Sequence, residues 1–335
     1  MVLGKYIKMK IAIHHRKGSF SDEWIRYCRD NKLSYKVVNV YDNNIIEQLS
    51  GVSFFLWHHH HANYKDTLFL KQLLYSLEIK GIKVFPNFNT GWHFDDKVGQ
   101  MYLLEAIAAP MVPSFVFYSK KEALEWIKTT TFPKVFKLRG GASSNGVFLI
   151  KSKSEAKKYI SKAFTNGFKQ FNGWRNFRDT LRLYKVKKTP PLSLLKSFIR
   201  IFIPTEFSRM HAPEKGYAYF QDFIPKNQFD TRVIVIGDKA YGMHRMVRKN
   251  DFRASGSSYF DYSPIRKDVL SIAFNVAEKL KLQSVAFDFI YTPEGKPLIV
   301  ELSYGFGQKG SNKCPGYWDR RLKYHKSVIT PAIWI

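Results

Sequence analysis

The first 90 residues alternate short apolar segments with segments whose apolar residues follow helical spacing. Strands and helices that alternate in this way are typical of a layered α/β domain with a parallel sheet. The predicted strands are Lys10 to Ile13, Tyr35 to Val40, Val52 to Trp57 and Val84 to Phe85, and the predicted helices are Ser21 to Asp30 and Tyr64 to Ile79. We therefore predict a small α/β domain over residues 1–90.

Beyond residue 90 the pattern changes, because several predicted strands follow one another with only a short loop between them. The predicted helices are Asp95 to about Ala108, Lys120 to Thr129, Pro191 to Ile203 and Ser263 to Lys281. The predicted strands are Ser114 to Tyr118, Lys134 to Leu138, Val147 to Ile150, Tyr217 to Ile224, Thr231 to Ile236, Lys239 to Val247, Ser284 to Ile290 and Pro297 to Ser303. The region between residues 164 and 215 breaks this order with basic and aromatic residues.

Each of the last two predicted strands, SVAFDFI and PLIVELS, contains one acidic residue. If residues 293–296 form the loop and Thr292 lies opposite Pro297, Asp288 lies opposite Glu301 and both carboxylates share one face. Unpaired carboxylates between apolar strands are costly, so a bound metal ion or an arginine partner is expected. Mg²⁺ commonly takes one or two carboxylates plus nucleotide phosphates. The alternative is one acid in a salt bridge and the other half exposed.

A second candidate site is the small-residue loop RGGASSNG at Arg139–Gly146, which follows the strand that contains Lys137. Backbone N–H groups of such a loop can approach phosphate oxygens closely. Its order, from strand to loop to strand, differs from that of a P-loop, and the P-loop consensus is absent. An ordinary hairpin turn with a surface lysine is the alternative interpretation.

The chain of 335 residues is strongly basic, with 54 Lys and Arg against 27 Asp and Glu. A net charge of +27 favours an anionic partner, such as a nucleotide, an acidic glycan, a nucleic acid or an anionic lipid. Residues 151–215 alone carry 16 Lys and Arg against 4 Asp and Glu. Within them, the predicted helix Pro191 to Ile203 has an apolar face flanked by Lys196 and Arg200. An anionic membrane surface or an acidic glycan suits this segment better than nucleic acid, since no recognisable reading module is present, and a solvated helical face is the plain alternative.

Cysteine and histidine usage adds little chemistry. The two cysteines, Cys28 and Cys314, are too few for a disulfide scaffold and fit a reducing cytosol. No signal-peptide core and no bilayer-spanning segment is visible, so we expect a cytoplasmic protein, with any membrane contact peripheral to the inner surface. The rings of His58–His61 alternate sides in an extended chain, which favours structural or substrate-lining roles over a metal site.

The order of these segments resembles the ATP-grasp superfamily of carboxylate-amine ligases, especially its glutathione synthetase-like and ribosomal-protein glutamate ligase branch. The resemblance lies in DDKVGQMYLLEA, FPKVFKLRGGASSNGVFLI, YFQDFIPKNQFDTRVIVIGDKAYGMHRMVRKNDFRAS and VAFDFIYTPEGKPLIVELS. It implies an α/β fold of the α+β ATP-grasp type. Its parts would be a pre-ATP-grasp domain (1–90), an N-terminal ATP-grasp subdomain (91–163), the basic insert (164–215), a C-terminal subdomain (216–313) and a tail (314–335).

The resemblance also implies roles for individual residues. The ATP phosphates would lie at Lys97 and Lys137, under a loop that includes Gly140, Gly141, Ser143 and Ser144. Adenine would lie against the hinge residues Gln221, Asp222, Phe223 and Ile224, with Asp230 near the ribose. Mg²⁺ would be bound by Asp288, Glu301 and Ser303, while the catalytic residues would be Arg245, at the transferred phosphoryl group, and Arg253, near the acyl phosphate or substrate.

Two positions depart from the family pattern. Ser303 and Ser255 stand where relatives usually carry asparagine, and a hydroxyl is a weaker Mg²⁺ ligand than an amide oxygen. The resemblance implies ATP- and Mg²⁺-dependent joining of a carboxylate to an amine through an acyl phosphate, with an anionic acceptor such as an acidic sugar or polymer precursor suggested by the charge. The alternatives are an ATP-grasp kinase acting on an anionic small molecule and a non-catalytic basic protein that binds nucleic acid or membrane.

Overall fold

The computed structural model describes residues 10–141, 146–169, 173–185, 189–203, 209–247, 251–254 and 259–335. Ser143, Ser144 and Ser255 therefore lie outside the described residues. Over the described part of the chain, no helix is both long and apolar enough to cross a membrane.

The N-terminal region folds around a four-stranded parallel sheet of order β2-β1-β3-β4, which confirms the predicted parallel arrangement. Its elements are β1 (Ile11–His14), α1 (Phe20–Asp30), β2 (Tyr35–Val38), α2 (Ile45–Gln48), β3 (Phe54–Trp57), α3 (Tyr64–Ile79), β4 (Lys83–Phe85) and α4 (Phe88–Gly91). Side chains such as Phe55, Trp57, Leu74 and Leu77 fill the core on one side of this sheet. The carboxyl ends of β1 and β3 therefore lie side by side.

The second unit is a four-stranded antiparallel sheet of order β5-β8-β6-β7 with two helices packed against it. Its elements are α5 (Lys97–Ala106), which leads into it, β5 (Ser114–Phe117), α6 (Lys120–Thr129), β6 (Lys134–Lys137), β7 (Val147–Ile150), α7 (Lys153–Ala163) and β8 (Ala218–Asp222). Strand β8 follows the insert in sequence but lies between β5 and β6 in the sheet. The sheet is therefore complete only when the chain beyond residue 217 is added.

The basic insert forms a pair of helices, α8 (Gly173–Lys185) and α9 (Pro191–Phe202). Gly173 lies so close to α9 that an added Cβ would be 2.7 Å from the Cα of Ile201. Glycine at this position therefore permits the two backbones to approach closely. The predicted helix over Pro191 to Ile203 is confirmed.

The third unit is a seven-stranded sheet of order β13-β12-β9-β10-β14-β15, with β11 paired to β10. Its elements are β9 (Phe229–Ile236), β10 (Lys239–Met246), β11 (Phe260–Asp261), α10 (Lys267–Lys279), β12 (Ser284–Tyr291), β13 (Pro297–Ser303), α11 (Gln308–Ser311), β14 (Gly316–Asp319), β15 (Tyr324–Lys326) and α12 (Pro331–Trp334). Residues 314–335 are thus more than the tail that the sequence indicated. Strand β14 pairs with β10, and Trp24 of α1 donates a hydrogen bond to the carbonyl of Ala332.

The register of the β12–β13 hairpin corrects one detail of the sequence prediction. Tyr291, and not Thr292, lies opposite Pro297, which on its own would shift Asp288 away from Glu301. A bulge then places Asp288 opposite Glu301 although Phe289 lies opposite Ile299, so that Val300 is the extra residue. The predicted pairing of the two acids is therefore confirmed, although it is reached through a different register at the turn.

Candidate active site

A cleft of ≈ 960 Å³ separates the antiparallel sheet of the second unit from the seven-stranded sheet of the third. This volume is at the upper end of the range for small-molecule sites. Ten of the predicted site residues line it: Lys97, Lys137, Gly141, Gln221, Asp222, Phe223, Ile224, Asp230, Arg245 and Arg253, together with the three predicted metal ligands Asp288, Glu301 and Ser303. Gly140 precedes Gly141 in the loop, is buried, and donates its backbone N–H to Glu214.

Cross-strand pairing brings five charged side chains of the third unit together at one side of the cleft. Asp288 on β12 lies opposite Glu301 on β13 and also opposite Arg232 on β9. Two residues along β9, Asp230 lies opposite Arg245 on β10. Because side chains two residues apart on a strand share a face, all five groups project from the same side of the sheet.

Asp288 is neutralised by two arginines. Arg232 donates from Nε and Nη2 to its two carboxylate oxygens at 2.7 and 2.8 Å, and Nη2 of Arg245 donates to Oδ2 at 2.7 Å. Although burial alone would raise it, these two guanidinium groups hold the pKa of Asp288 well below its usual range. From the sequence we expected either a metal ion or an arginine partner for these acids, and Asp288 has two arginine partners.

Arg245 is itself shared between two acids. Its Nε donates to Oδ1 of Asp230 at 2.7 Å and its Nη2 donates to both Asp230 and Asp288. Its Nη1 has no partner among the residues that the structure describes and is left for a ligand in the cleft. Asp230 thus orients Arg245, and its predicted contact with a ribose stays a prediction.

Lys97 links helix α5 to the loop that begins at Arg139 and to the β12–β13 hairpin. Its Nζ donates to the carbonyl of Gly141 at 2.8 Å and lies 3.3 Å from Oε1 of Glu301. Burial opposes its charge, but the carboxylates of Glu301 and Asp95 raise the pKa of Lys97 above its ordinary value. Lys97 therefore stays protonated and fixes one oxygen of Glu301.

Lys137 differs from Lys97 in its surroundings. The residue is 5% exposed, and within the described part of the chain no oxygen accepts a hydrogen bond from its Nζ. Burial lowers the pKa of Lys137 to about 8, with nearby Glu301 opposing this shift and Lys97 adding to it. A phosphate oxygen in the cleft would give this ammonium a hydrogen-bond partner.

Two carboxylates hold the start of the loop that begins at Arg139. Glu214 accepts hydrogen bonds from the N–H groups of Arg139 and Gly140 at 3.0 and 3.1 Å. Asp95 accepts one from the N–H of Gly141 at 2.8 Å, and burial raises the pKa of Asp95 to about 6. The loop is thereby tied both to α5 and to the C-terminal end of the insert.

The hinge region runs along the edge of β8 and past it. The side chain of Gln221 is buried and donates to the hydroxyl of Tyr219 at 3.1 Å, and Asp222 pairs with Lys134 at 2.5 Å. Because the amide nitrogen of Gln221 and the carboxylate of Asp222 already have partners within the protein, a ring bound beside them would mainly meet backbone groups and the side chains of Phe223 and Ile224.

The carboxylates of the hairpin fit a Mg²⁺ ion. Asp288 offers about four lone pairs and uses three in its arginine contacts, while Oε2 of Glu301 has no partner within the described chain. Glu301 is also 32% exposed, so that this oxygen faces the cleft. One free carboxylate oxygen plus one shared carboxylate is the small protein contribution that Mg²⁺ takes beside nucleotide phosphates. Ser303 lines the same end of the cleft and could add a hydroxyl.

The remaining candidates lie around the rim. Arg253 donates to Asp251 at 2.9 and 2.7 Å and lines the cleft. His60 and His61 line it from the N-terminal domain, and burial lowers the pKa of each to about 4, so both are neutral near pH 7. No group of three or more histidine, cysteine or acidic residues in the described segments could hold a metal ion.

Sequence reasoning missed three residues that organise this site: Arg232, Asp95 and Glu214. The two-residue spacing of Asp230 and Arg232 on one strand was a usable signal, since it places both on one face. Asp95 and Glu214 act through loop contacts between segments far apart in sequence, and no local pattern points to them.

Comparison with protein-family models and with curated protein sequences found no match. Solved structures do match. The RimK domain ATP-grasp protein from Sphaerobacter thermophilus has a TM-score of 0.55 and 13% identity, with 90% of this chain and 93% of that chain covered. D-alanine–D-alanine ligase from Bacillus anthracis has a TM-score of 0.55 and 14% identity, with 90% and 89% covered. The ATP-grasp ligase PsnB in complex with its minimal precursor has a TM-score of 0.54 and 12% identity, with 92% and 93% covered.

These matches extend over nearly the whole of each chain and include all three units on both sides of the cleft. With identities of 12–14%, the likeness is one of architecture. The protein therefore has the ATP-grasp fold.

Proposed function

We propose that this protein is an ATP- and Mg²⁺-dependent ligase that activates a carboxylate as an acyl phosphate and joins it to an amine. The observation that carries the proposal is that the ammonium of Lys137, which has no hydrogen-bond partner among the described residues, lies in the same cleft as the paired acids Asp288 and Glu301. An ammonium without a hydrogen-bond partner, next to carboxylates suited to Mg²⁺, is complementary to a metal-bound polyphosphate. Two of the similar solved structures described above are named as ligases, which supports ligation as the reaction.

The residues of the chain divide the work of the reaction. Lys137 and Lys97 would hold phosphate oxygens, and the hinge residues 221–224 would hold the adenine ring. Mg²⁺, held by Asp288 and Glu301, would supply charge neutralisation on the phosphates. Nη1 of Arg245, whose other nitrogens are fixed by Asp230 and Asp288, would contact the transferred phosphoryl group.

The bond changes balance without a side-chain nucleophile. A carboxylate oxygen of the substrate attacks the terminal phosphorus of ATP, the bond from phosphorus to the ADP oxygen breaks, and ADP leaves. The amine then attacks the acyl carbon, phosphate leaves with the carboxylate oxygen, and the amine nitrogen loses a proton. The net charge of +27 of the whole chain favours an anionic acceptor such as an acidic sugar or polymer precursor.

Trapping with hydroxylamine tests this proposal. An acyl phosphate reacts with hydroxylamine to give a hydroxamate, whereas a kinase leaves a stable phosphate ester. We expect incubation with ATP, Mg²⁺ and a panel of carboxylates to give ADP, phosphate and hydroxamate with at least one acid. Glu301→Gln should abolish the product, while Glu294→Gln, in the exposed turn of the same hairpin, should leave it unchanged. A phosphorylated hydroxyl compound without hydroxamate would contradict the ligase and favour the kinase.

A further inference from the structure

Helix α9 of the insert turns its apolar face outward. Six large apolar residues in or next to it are between 44% and 68% exposed: Leu192, Leu195, Phe198, Ile199, Phe202 and Ile203. The spacing from Leu192 through Leu195 and Ile199 to Phe202 places them on one side of the helix. Contiguous exposed apolar surface of this kind marks an interaction site in a folded protein.

The contacts with α8 fix this orientation. Ser197 on the opposite side of α9 is only 3% exposed, and Gly173 approaches the backbone of Arg200 and Ile201 within contact distance. The side of α9 that carries Ser197, together with the half-buried Leu194 and Ile201, is therefore the side packed against the protein.

Basic residues border the apolar face. Lys196 and Arg200 lie along one flank of α9, and both are exposed. Over residues 173–203 the sequence has 8 Lys and Arg against 1 Asp and Glu. On α8, Trp174 is 60% exposed and Tyr184 is 39% exposed, and aromatic residues of this type favour the boundary between lipid and water.

We propose that the exposed face of α8 and α9 docks on the surface of an anionic lipid bilayer, with the apolar residues of α9 inserted at the headgroup level. Apolar residues flanked by cations are what such a surface binds, because burial and attraction to anionic lipid act together. A second copy of this chain would bring equal positive charge to the same face, and an acidic glycan would leave the apolar residues exposed. The proposal concerns location and does not depend on the reaction proposed above.

Vesicle sedimentation with the full chain tests this docking. We expect binding to phosphatidylcholine vesicles that contain about 30 mol% phosphatidylserine, and little binding to pure phosphatidylcholine. The double change Lys196→Gln and Arg200→Gln should weaken binding about fivefold for each charge removed, and raising NaCl from about 0.1 M to about 0.5 M should weaken it further. The double change Leu195→Ser and Phe202→Ser should weaken it more than about tenfold at either salt concentration.

Matched controls separate this face from general charge and stickiness. Lys120→Gln with Lys121→Gln removes two exposed cations from α6, and Leu68→Ser with Ile79→Ser removes two apolar residues that are 65% and 72% exposed on α3. Both control pairs should bind vesicles like the unchanged protein, and thermal unfolding should verify that all variants are folded. Equal binding by control and α9 variants would overturn the proposal. So would a concentration-dependent dimer in light scattering that the Leu195→Ser and Phe202→Ser pair abolishes, since the face would then be a contact between copies.

Discussion

Replacing Lys137 by methionine should have opposite effects on stability and on ATP binding. Burial lowers the pKa of Lys137 from 10.5 to about 8. At pH 7 Lys137 is protonated in both states, but the unfolded chain binds this proton more tightly than the folded chain does. A shift of this size corresponds to about 3 kcal/mol of lost stability. Methionine has nearly the same shape without the charge, and Lys137→Met should therefore raise the free energy of unfolding at pH 7 by up to about 3 kcal/mol.

The sign of the pH dependence follows from the same shift. Between about pH 8 and pH 10.5 the unfolded state binds more protons at Lys137 than the folded state, so this group makes stability rise with pH across that window. The difference in unfolding free energy between Lys137→Met and the unchanged protein should be full below pH 8 and should shrink toward pH 10.5. Denaturant titrations at a series of pH values measure it.

Lys137→Met should raise stability but lower the affinity for ATP. A charged hydrogen bond to phosphate contributes about 1.5 to 3 kcal/mol, so calorimetry should show Lys137→Met binding ATP between about 10-fold and about 100-fold more weakly. Lys134 is the control: it lies on the same strand and is also buried, but it is paired with Asp222 at 2.5 Å. Lys134→Met should lower stability and affect ATP only through that loss. A Lys137→Met protein with unchanged ATP affinity would refute the reasoning.

Two further predictions concern the acidic hairpin. Asp288→Asn should lower the free energy of unfolding by about 3 kcal/mol, because it leaves the buried guanidinium of Arg245 and the half-buried guanidinium of Arg232 short of a negative charge. Glu301 is more exposed, so Glu301→Gln should leave the melting temperature near its original value and abolish Mg²⁺-dependent turnover. Equal melting temperatures for the two variants would contradict the roles assigned to them. Ser303→Asn should lower the Mg²⁺ concentration needed for half-maximal turnover, since an amide oxygen is a stronger ligand than a hydroxyl, and an unchanged Mg²⁺ requirement would place Ser303 outside the metal site.

The sequence predicted most helices and strands because their apolar patterns are local. The register of the acidic hairpin shows where such reasoning stops. Counting loop residues pairs Asp288 with Glu301 through Thr292, but the chain turns one residue earlier and recovers the pairing through a bulge at Val300. A bulge depends on packing between strands, and nothing in a single strand's pattern predicts it.

The site shows the same division between local and distant information. The acids and lysines of the cleft stand out because a charge inside an apolar strand is unusual. Arg232 was missed because one arginine in a strand resembles a solvent-facing residue until the neighbouring strand is known. Glu214, at the C-terminal end of the insert, contacts the loop that begins at Arg139, and the strands of residues 314–335 join a sheet whose first strand in sequence is β9. Such contacts are set by the tertiary fold.

Oxygen transfer is the most direct test of the central claim, the acyl phosphate. A carboxylate substrate that supports ADP formation should be labelled with ¹⁸O in its carboxyl group and incubated with ATP, Mg²⁺ and the amine. Because phosphate leaves with a carboxylate oxygen, the released inorganic phosphate should carry one ¹⁸O atom, and mass spectrometry should detect this shift. Inorganic phosphate without label, formed together with the amide product, would contradict the account.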